Sequence, residues 1–190
     1  MINQSESYCL ALYPLTGALP EALDEGLRQH LSAMGLLGAA FQLDSKKAYK
    51  LGESFYQLLS FMGCAPSLKL EPESPGDRKF CHFRFIHSPV NDFRFLRPDV
   101  KARCPSCRKA GDTAEHIQNI AAEQGWSCPH CQQQMSLSEI NWKHEAGLAR
   151  YFIELVDVHP HEVVPTDGLL KELESFTDKK WDYFYTVTQV

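Results

Sequence analysis

The chain has 190 residues, 44% of them hydrophobic, and a formal net charge of −5. That length and apolar content support a packed core and exclude a disordered chain. The negative total excludes a polyanion-seeking surface over the whole molecule.

The first strand is read at residues 8–13, Tyr-Cys-Leu-Ala-Leu-Tyr, and Gly17 then breaks the chain. Pro20 opens a helix whose buried stripe is Leu23, Leu27, Leu31 and Met34. Residues 39–43 suit a short strand. Asp44-Ser45 has the chemistry of a helix cap, and Leu51, Phe55, Leu58, Leu59 and Met62 would form that helix's apolar face, stopped by Gly63. Residues 67–70 begin a β-rich stretch, and residues 71–77, rich in proline and glycine, form a loop. Residues 80–86 and 92–96 alternate like two strands of a hairpin joined by His87-Ser-Pro-Val-Asn91. Asp112 and Glu115 have capping-box spacing before Ile117, Ile120, Ala121 and Gln124, which predicts a short helix ending at Gly125; an all-β excursion is the competing reading. Residues 137–148 suit another helix. Residues 151–158 form a strong strand, Leu169, Leu170, Leu173 and Phe176 a helical stripe, and residues 181–187 a last strand. This C-terminal β–α–β unit echoes the start of the chain. Tyr8-Cys-Leu-Ala-Leu12 parallels Tyr151-Phe-Ile-Glu-Leu155, and Leu19-Pro20 parallels Val164-Pro165, a likeness that chance explains as well as duplication.

The expected fold class is α+β, a mostly antiparallel sheet with packed helices. Its body comprises residues 1–100 and 136–190, and residues 101–135 form an insertion. Two cysteine pairs define that insertion: Cys104-Pro105-Ser106-Cys107 and Cys128-Pro129-His130-Cys131, with twenty residues between them. Each C-x2-C turn points two sulfurs at one centre, and the proline after each first cysteine restricts the turn in advance. Four soft thiolates with no open position select zinc in a structural role, one ion per chain.

The two pairs, with Gly125-Trp126-Ser127 entering the second, resemble the knuckles of the zinc-ribbon class over residues 101–135. Arg108 and Gln132 depart from that pattern, standing where such knuckles often place glycine. Rubredoxin-like iron shares the spacing, and Cys-Pro-His-Cys alone resembles a redox dithiol. His116 and His130 are the nearby alternative ligands. Cys9, Cys64 and Cys81 bring the total to an odd seven, which favours small buried thiols in a reducing compartment over a disulfide framework. Residues 1–7 carry no basic stretch followed by an apolar run, and the apolar stretch at 31–43 is too short to span a bilayer. A cytoplasmic protein without a membrane span is expected.

Charge is unevenly distributed. Between Arg78 and Lys109 nine basic residues accompany two acidic ones, leaving −12 for the rest of the chain. Phe83-Arg84-Phe85 and Phe93-Arg94-Phe95 repeat one pattern on two predicted strands, with phenylalanines on one face and arginines on the other. The functional expectation is a non-enzymatic binding protein. Cys104, Cys107, Cys128 and Cys131 bind metal, and Arg84, Arg94, Arg97, Lys101 and Arg103 contact nucleic acid or an acidic protein partner. A solvated basic face is the bland alternative. Two further classes stay open. One is an enzyme with a pocket between body and metal segment, served by His82, His87, His159 or His161; the other is a purely structural subunit. His159-Pro-His-Glu162 is a second candidate metal cluster, read more simply as a polar loop.

Overall fold

The computed structural model of the chain describes residues 6–16, 18–62, 68–74, 76–120 and 125–190. The expected chain break at Gly17, the helix stop at Gly63, Cys64, and residues 121–124 lie outside them.

In chain order the elements are β1 (Glu6–Pro14), α1 (Glu21–Ala33), β2 (Leu37–Leu43), β3 (Lys46–Leu51), α2 (Phe55–Leu58), β4 (Leu59–Phe61), β5 (His82–Phe95), β6 (Lys101–Arg103), β7 (Ala110–Thr113), α3 (Ala114–Ile120), β8 (Trp126–Ser127), β9 (Gln134–Met135), β10 (Ala146–Val156), β11 (Val163–Pro165), α4 (Asp167–Thr177) and β12 (Trp181–Gln189). Six strands make one sheet in the order β12-β1-β10-β5-β3-β2, and every ladder in it is antiparallel. Without the β2–β3 hairpin, β1, β5, β10 and β12 with α1 and α4 trace a β-α-β-β-α-β path in the spatial order fourth, first, third, second. This is a double split β–α–β arrangement. β1 and β10, the two strands of similar sequence, are antiparallel neighbours at its centre.

Both long helices pack on the face made by Leu10, Leu12, Ile153, Leu155 and Tyr185, burying Leu27 and Leu31 of α1 and Leu169 and Leu173 of α4. Thr166 caps α4, accepting from the Leu169 N–H at 3.2 Å. α1 ends at Gly35 (φ 77°): Leu36 N–H donates to Leu31 O and Gly35 N–H to Ser32 O, both at 3.0 Å. Only glycine suits this left-handed stop, since a Cβ here would lie 2.6 Å from Ser54 Oγ.

Three predicted elements are corrected. Asp44 (φ 50°) and Ser45 (φ 64°) cap no helix; they are the turn of the β2–β3 hairpin, in the primed geometry that matches strand twist. Short polar side chains serve caps and turns alike, so the local pattern misleads. The apolar face assigned to that helix is divided among β3, the single turn α2 and β4, and Met62 is exposed. Residues 82–95 form one strand of fourteen residues, not a hairpin. Pro89 is tolerated because β3 meets β5 only at Arg84 and Phe83; beyond them β5 pairs with β10 alone, across a register shift at residues 149–151. Residues 137–145 contain no helix. Lys143 (φ 54°) and His144 (φ 59°) turn the chain into β10 instead.

The opposite face of the sheet curls inward. It holds a small apolar cluster of Ala11, Tyr13, Ala149, Phe152 and Phe184, and beside it the side chain of Glu154 is 0% exposed. Arg84 Nε donates to Glu154 Oε2 and Arg94 Nη1 to Glu154 Oε1, both at 2.5 Å. Arg84 faces Glu154 directly across the ladder, whereas Arg94 lies opposite Gly147, so the bend in β5 brings both arginines to one carboxylate. Arg84 also donates to Thr188 Oγ1 and to Gln189 O (3.0 Å), fixing the end of β12. Arg94 stacks over Phe152 at 4.4 Å and grips Asp92 at 2.6 Å. Cys9 lies within this field; burial, then the Glu154 charge, push its thiol well above the ordinary range.

Glu154→Gln leaves two half-buried guanidinium groups without their shared countercharge and is expected to destabilise the fold by about 3–5 kcal/mol in urea unfolding. A triple change of Glu154, Arg84 and Arg94 to Leu, Met and Leu should cost far less. Equal losses for the two variants would contradict the charge argument.

Candidate metal centre

β6 and β7 flank the first cysteine pair, and β8 and β9 the second. The two turns have matching hydrogen bonds. Arg108 N–H donates to Cys104 O at 2.8 Å and Cys104 N–H to Lys109 O at 3.1 Å; Gln132 N–H donates to Cys128 O at 2.9 Å and Cys128 N–H to Gln133 O at 3.0 Å. Arg108 and Gln132, the residues that depart from the glycine pattern, both have φ 61°. The turns therefore keep the left-handed step at these positions despite carrying side chains that disfavour it.

The four sulfurs of Cys104, Cys107, Cys128 and Cys131 lie within 4.8 Å of one another. Cys104 Sγ is 3.6 Å from Cys131 Sγ, and Cys107 Sγ is 3.7 Å from Cys128 Sγ. A disulfide would need about 2.05 Å. A tetrahedron of metal–sulfur bonds of about 2.3 Å has edges of about 3.8 Å. The geometry thus suits four thiolates around one ion and no S–S bond. Cys104 and Cys128 are buried, Cys107 is half-buried and Cys131 is exposed. Backbone N–H groups, that of Cys107 first, hold the Cys104 thiol below its ordinary range. For Cys131 the Gln133 backbone works the same way, but burial and the neighbouring thiols outweigh it and push the thiol up. His130 Nε2 instead bonds Ala110 O at 2.9 Å, and exposed His116 is not part of the cluster.

The cluster rests on a packed base. Trp126 is buried and its Nε1 donates to Asp112 Oδ2 at 2.8 Å, tying β8 to β7. Gly111 permits that approach, since a Cβ there would meet the Trp126 ring at 2.6 Å. Thr113 Oγ1 accepts from His116 N–H at 3.2 Å, so the expected short helix forms as α3, capped one residue later than the capping-box reading placed it. Ala102, Ala114, Ile117, Trp126 and Met135 join Leu96, Val100 and Trp142 in the same core that runs under the sheet.

The other candidate residues have separate fates. Arg84 and Arg94 converge on Glu154, so their guanidinium donors already have protein acceptors. Arg97 is exposed and lies 3.4 Å from Asp99 and 3.2 Å from Glu145. Lys101 is exposed and Arg103 half-buried, and among the described residues neither has a carboxylate at ion-pair distance; the same holds for the exposed Arg108 and Lys109. His82 is buried, bonded to Phe80 O at 2.8 Å, and burial keeps it neutral by lowering its pKa. His87 lies 3.3 Å from Asp24, which also accepts from Tyr151 Oη at 2.8 Å and from Arg28 at 2.6 Å. Burial opposes the Asp24 carboxylate, but these bonds prevail and hold its carboxyl below the usual range. His159 and His161 are exposed, and among the described residues only the four cysteines make a group fit for a metal.

A cleft of about 440 Å³ separates the middle of β5 from the cysteine segment, lined by Ser88, Asn91, Asp92, Phe93, Gln118 and Leu137 among others. Sequence reasoning missed Asn91 and Gln118: neutral amides far apart in the chain carry no local signal. Among the described residues no helix is long and apolar enough to cross a membrane. In comparisons with known proteins, no family model, no curated protein and no solved structure matches the chain.

Three outcomes are expected. Purified under reducing conditions, the protein should carry about one zinc per chain by elemental analysis. Cys→Ser at position 104, 107, 128 or 131 should release the zinc and lower stability, while Cys9→Ser should retain it. Gln132→Gly removes a left-handed side chain at a strain of about 1–2 kcal/mol, against a glycine entropy cost of about 0.5–1 kcal/mol. The zinc-loaded variant should therefore melt at or above the parent temperature.

Proposed function

We propose that the protein is a non-enzymatic binding protein in which one structural zinc ion, held by Cys104, Cys107, Cys128 and Cys131, organises a cationic surface for the phosphates of a nucleic acid. The observation that carries this reading is the group Lys101, Arg103, Arg108 and Lys109, flanking the four sulfurs without a carboxylate partner among the described residues. Four thiolates prefer zinc to hard cations and leave no site for a reactive water, so the ion serves the fold. Part of the positive charge balances the thiolates. The exposed remainder is free to meet anions, and zinc-fixed strands hold it in place. Arg97 adds to this surface at its margin. Arg84 and Arg94 contribute field but few free donors. A reducing cytoplasm is the compartment that suits four available thiols.

The cleft beside the cysteine segment favours binding over catalysis. Its titratable lining residue, Asp92, is bound to Arg94, and none of His82, His87, His159 and His161 lines it. General acid–base work needs a free group within reach of substrate.

Binding of a labelled nucleic acid at low ionic strength tests the proposal. Affinity should fall steeply with salt, and each phosphate contact removed, as in Lys101→Glu or Lys109→Glu, should flatten the log–log slope by about 0.7–0.9. Absence of binding at low salt would sink the nucleic-acid form, and a salt-sensitive complex with an acidic polypeptide in its place would replace it.

A further inference from the structure

We infer that the cleft between β5 and α3 receives an unstacked base of a single-stranded nucleic acid, an assignment that rests on the phosphate-binding reading above. The cleft offers two exposed amides, Asn91 from β5 and Gln118 from α3, and neither hydrogen-bonds to another described residue. An amide presents a donor and an acceptor side by side, which is what the edges of bases require. Ser88 adds a hydroxyl, while that of Ser136 is already bonded to Glu139 at 2.8 Å. The walls are Phe93, Leu137 and Leu148, so a flat heterocycle finds apolar faces around its polar rim. Phe93 is braced from behind by Trp142, with ring centroids 5.3 Å apart, and keeps a half-buried ring at the cleft. A cleft with one neutralised carboxylate and no free charge suits a neutral ring better than a charged metabolite.

The connection to a second cleft favours a strand over a free base. Phe93 and Gln118 also line an open cleft of about 500 Å³ that continues past Arg94 and Arg84 to Lys46, an exposed cation without an ion pair among the described residues. A base seated between the amides would leave its phosphates facing that channel on one side and the cysteine segment on the other. Paired bases hide their edges and cannot enter, so the arrangement selects single strands. Gln118 stands on α3, between the two cysteine pairs in sequence, so the metal fixes one wall of the site.

The test uses the zinc-loaded full chain and fluorescence anisotropy. Three labelled probes are compared at one salt concentration: a single strand of about twelve nucleotides, the matching duplex, and an abasic strand of equal length. The single strand should bind about tenfold tighter than the other two. Asn91→Ala and Gln118→Ala, both at exposed positions, should remove most of that preference and leave the salt slope unchanged. Lys101→Glu should weaken all three probes alike. If the abasic strand binds as tightly as the normal one, or the amide variants change nothing while Lys101→Glu still weakens binding, the base site is wrong and the phosphate surface stands. If no probe binds at low salt, both fall.

Discussion

A carboxylate sealed from water in a sheet is tolerable only when its charge is answered on the spot, and the architecture of this protein turns on that requirement. Glu154 sits near the middle of the sheet on β10. Its two answering charges come from opposite halves of the long strand β5. Bringing Arg84 and Arg94 to one point demands the bend that Pro89 and the facing register shift make possible. The same contact reaches Thr188 and Gln189 of β12, so one buried charge coordinates three strands. Apolar side chains of similar volume would hold the layers together as well, but they would not dictate where the strand bends.

The cysteine cluster imposes a second, separate constraint. Its two turns hold Arg108 and Gln132 in the left-handed region, which their side chains disfavour. Four sulfurs this close would repel one another as thiolates, and a cation among them would offset that repulsion. The binding energy of an ion held there would be local folding energy, and it would secure the position of the cations on β6 and beside the first pair, and of α3 over the cleft.

These two constraints divide the basic residues into two classes that composition cannot separate. Arg84 and Arg94 look, from the sequence, like the best contacts on a basic strand face. In the fold they are internal countercharges. Lys101 and Arg103, also expected as contacts, and their neighbours Arg108 and Lys109 have no carboxylate partner among the described residues. Two of the five expected contacts, Arg84 and Arg94, thus have their guanidinium groups turned to Glu154.

The sequence by itself determined what short-range chemistry controls. The four-cysteine cluster follows from turn spacing, the stripe of α1 from helical periodicity, and the opposed faces of phenylalanine and arginine from the two-residue repeat of a strand. It could not determine which reading of an ambiguous local signal would win. Asp44-Ser45 serves as readily for a hairpin turn as for a cap, and a proline in the middle of residues 82–95 reads as a turn until β3 is known to leave that stretch of β5 unpaired. Only the tertiary structure decided these cases, along with the partnership of Glu154 with two arginines and the placing of Asn91 and Gln118 in one cleft. Such outcomes depend on contacts between residues far apart in the chain, whose energies exceed the small local preferences on which sequence reasoning rests.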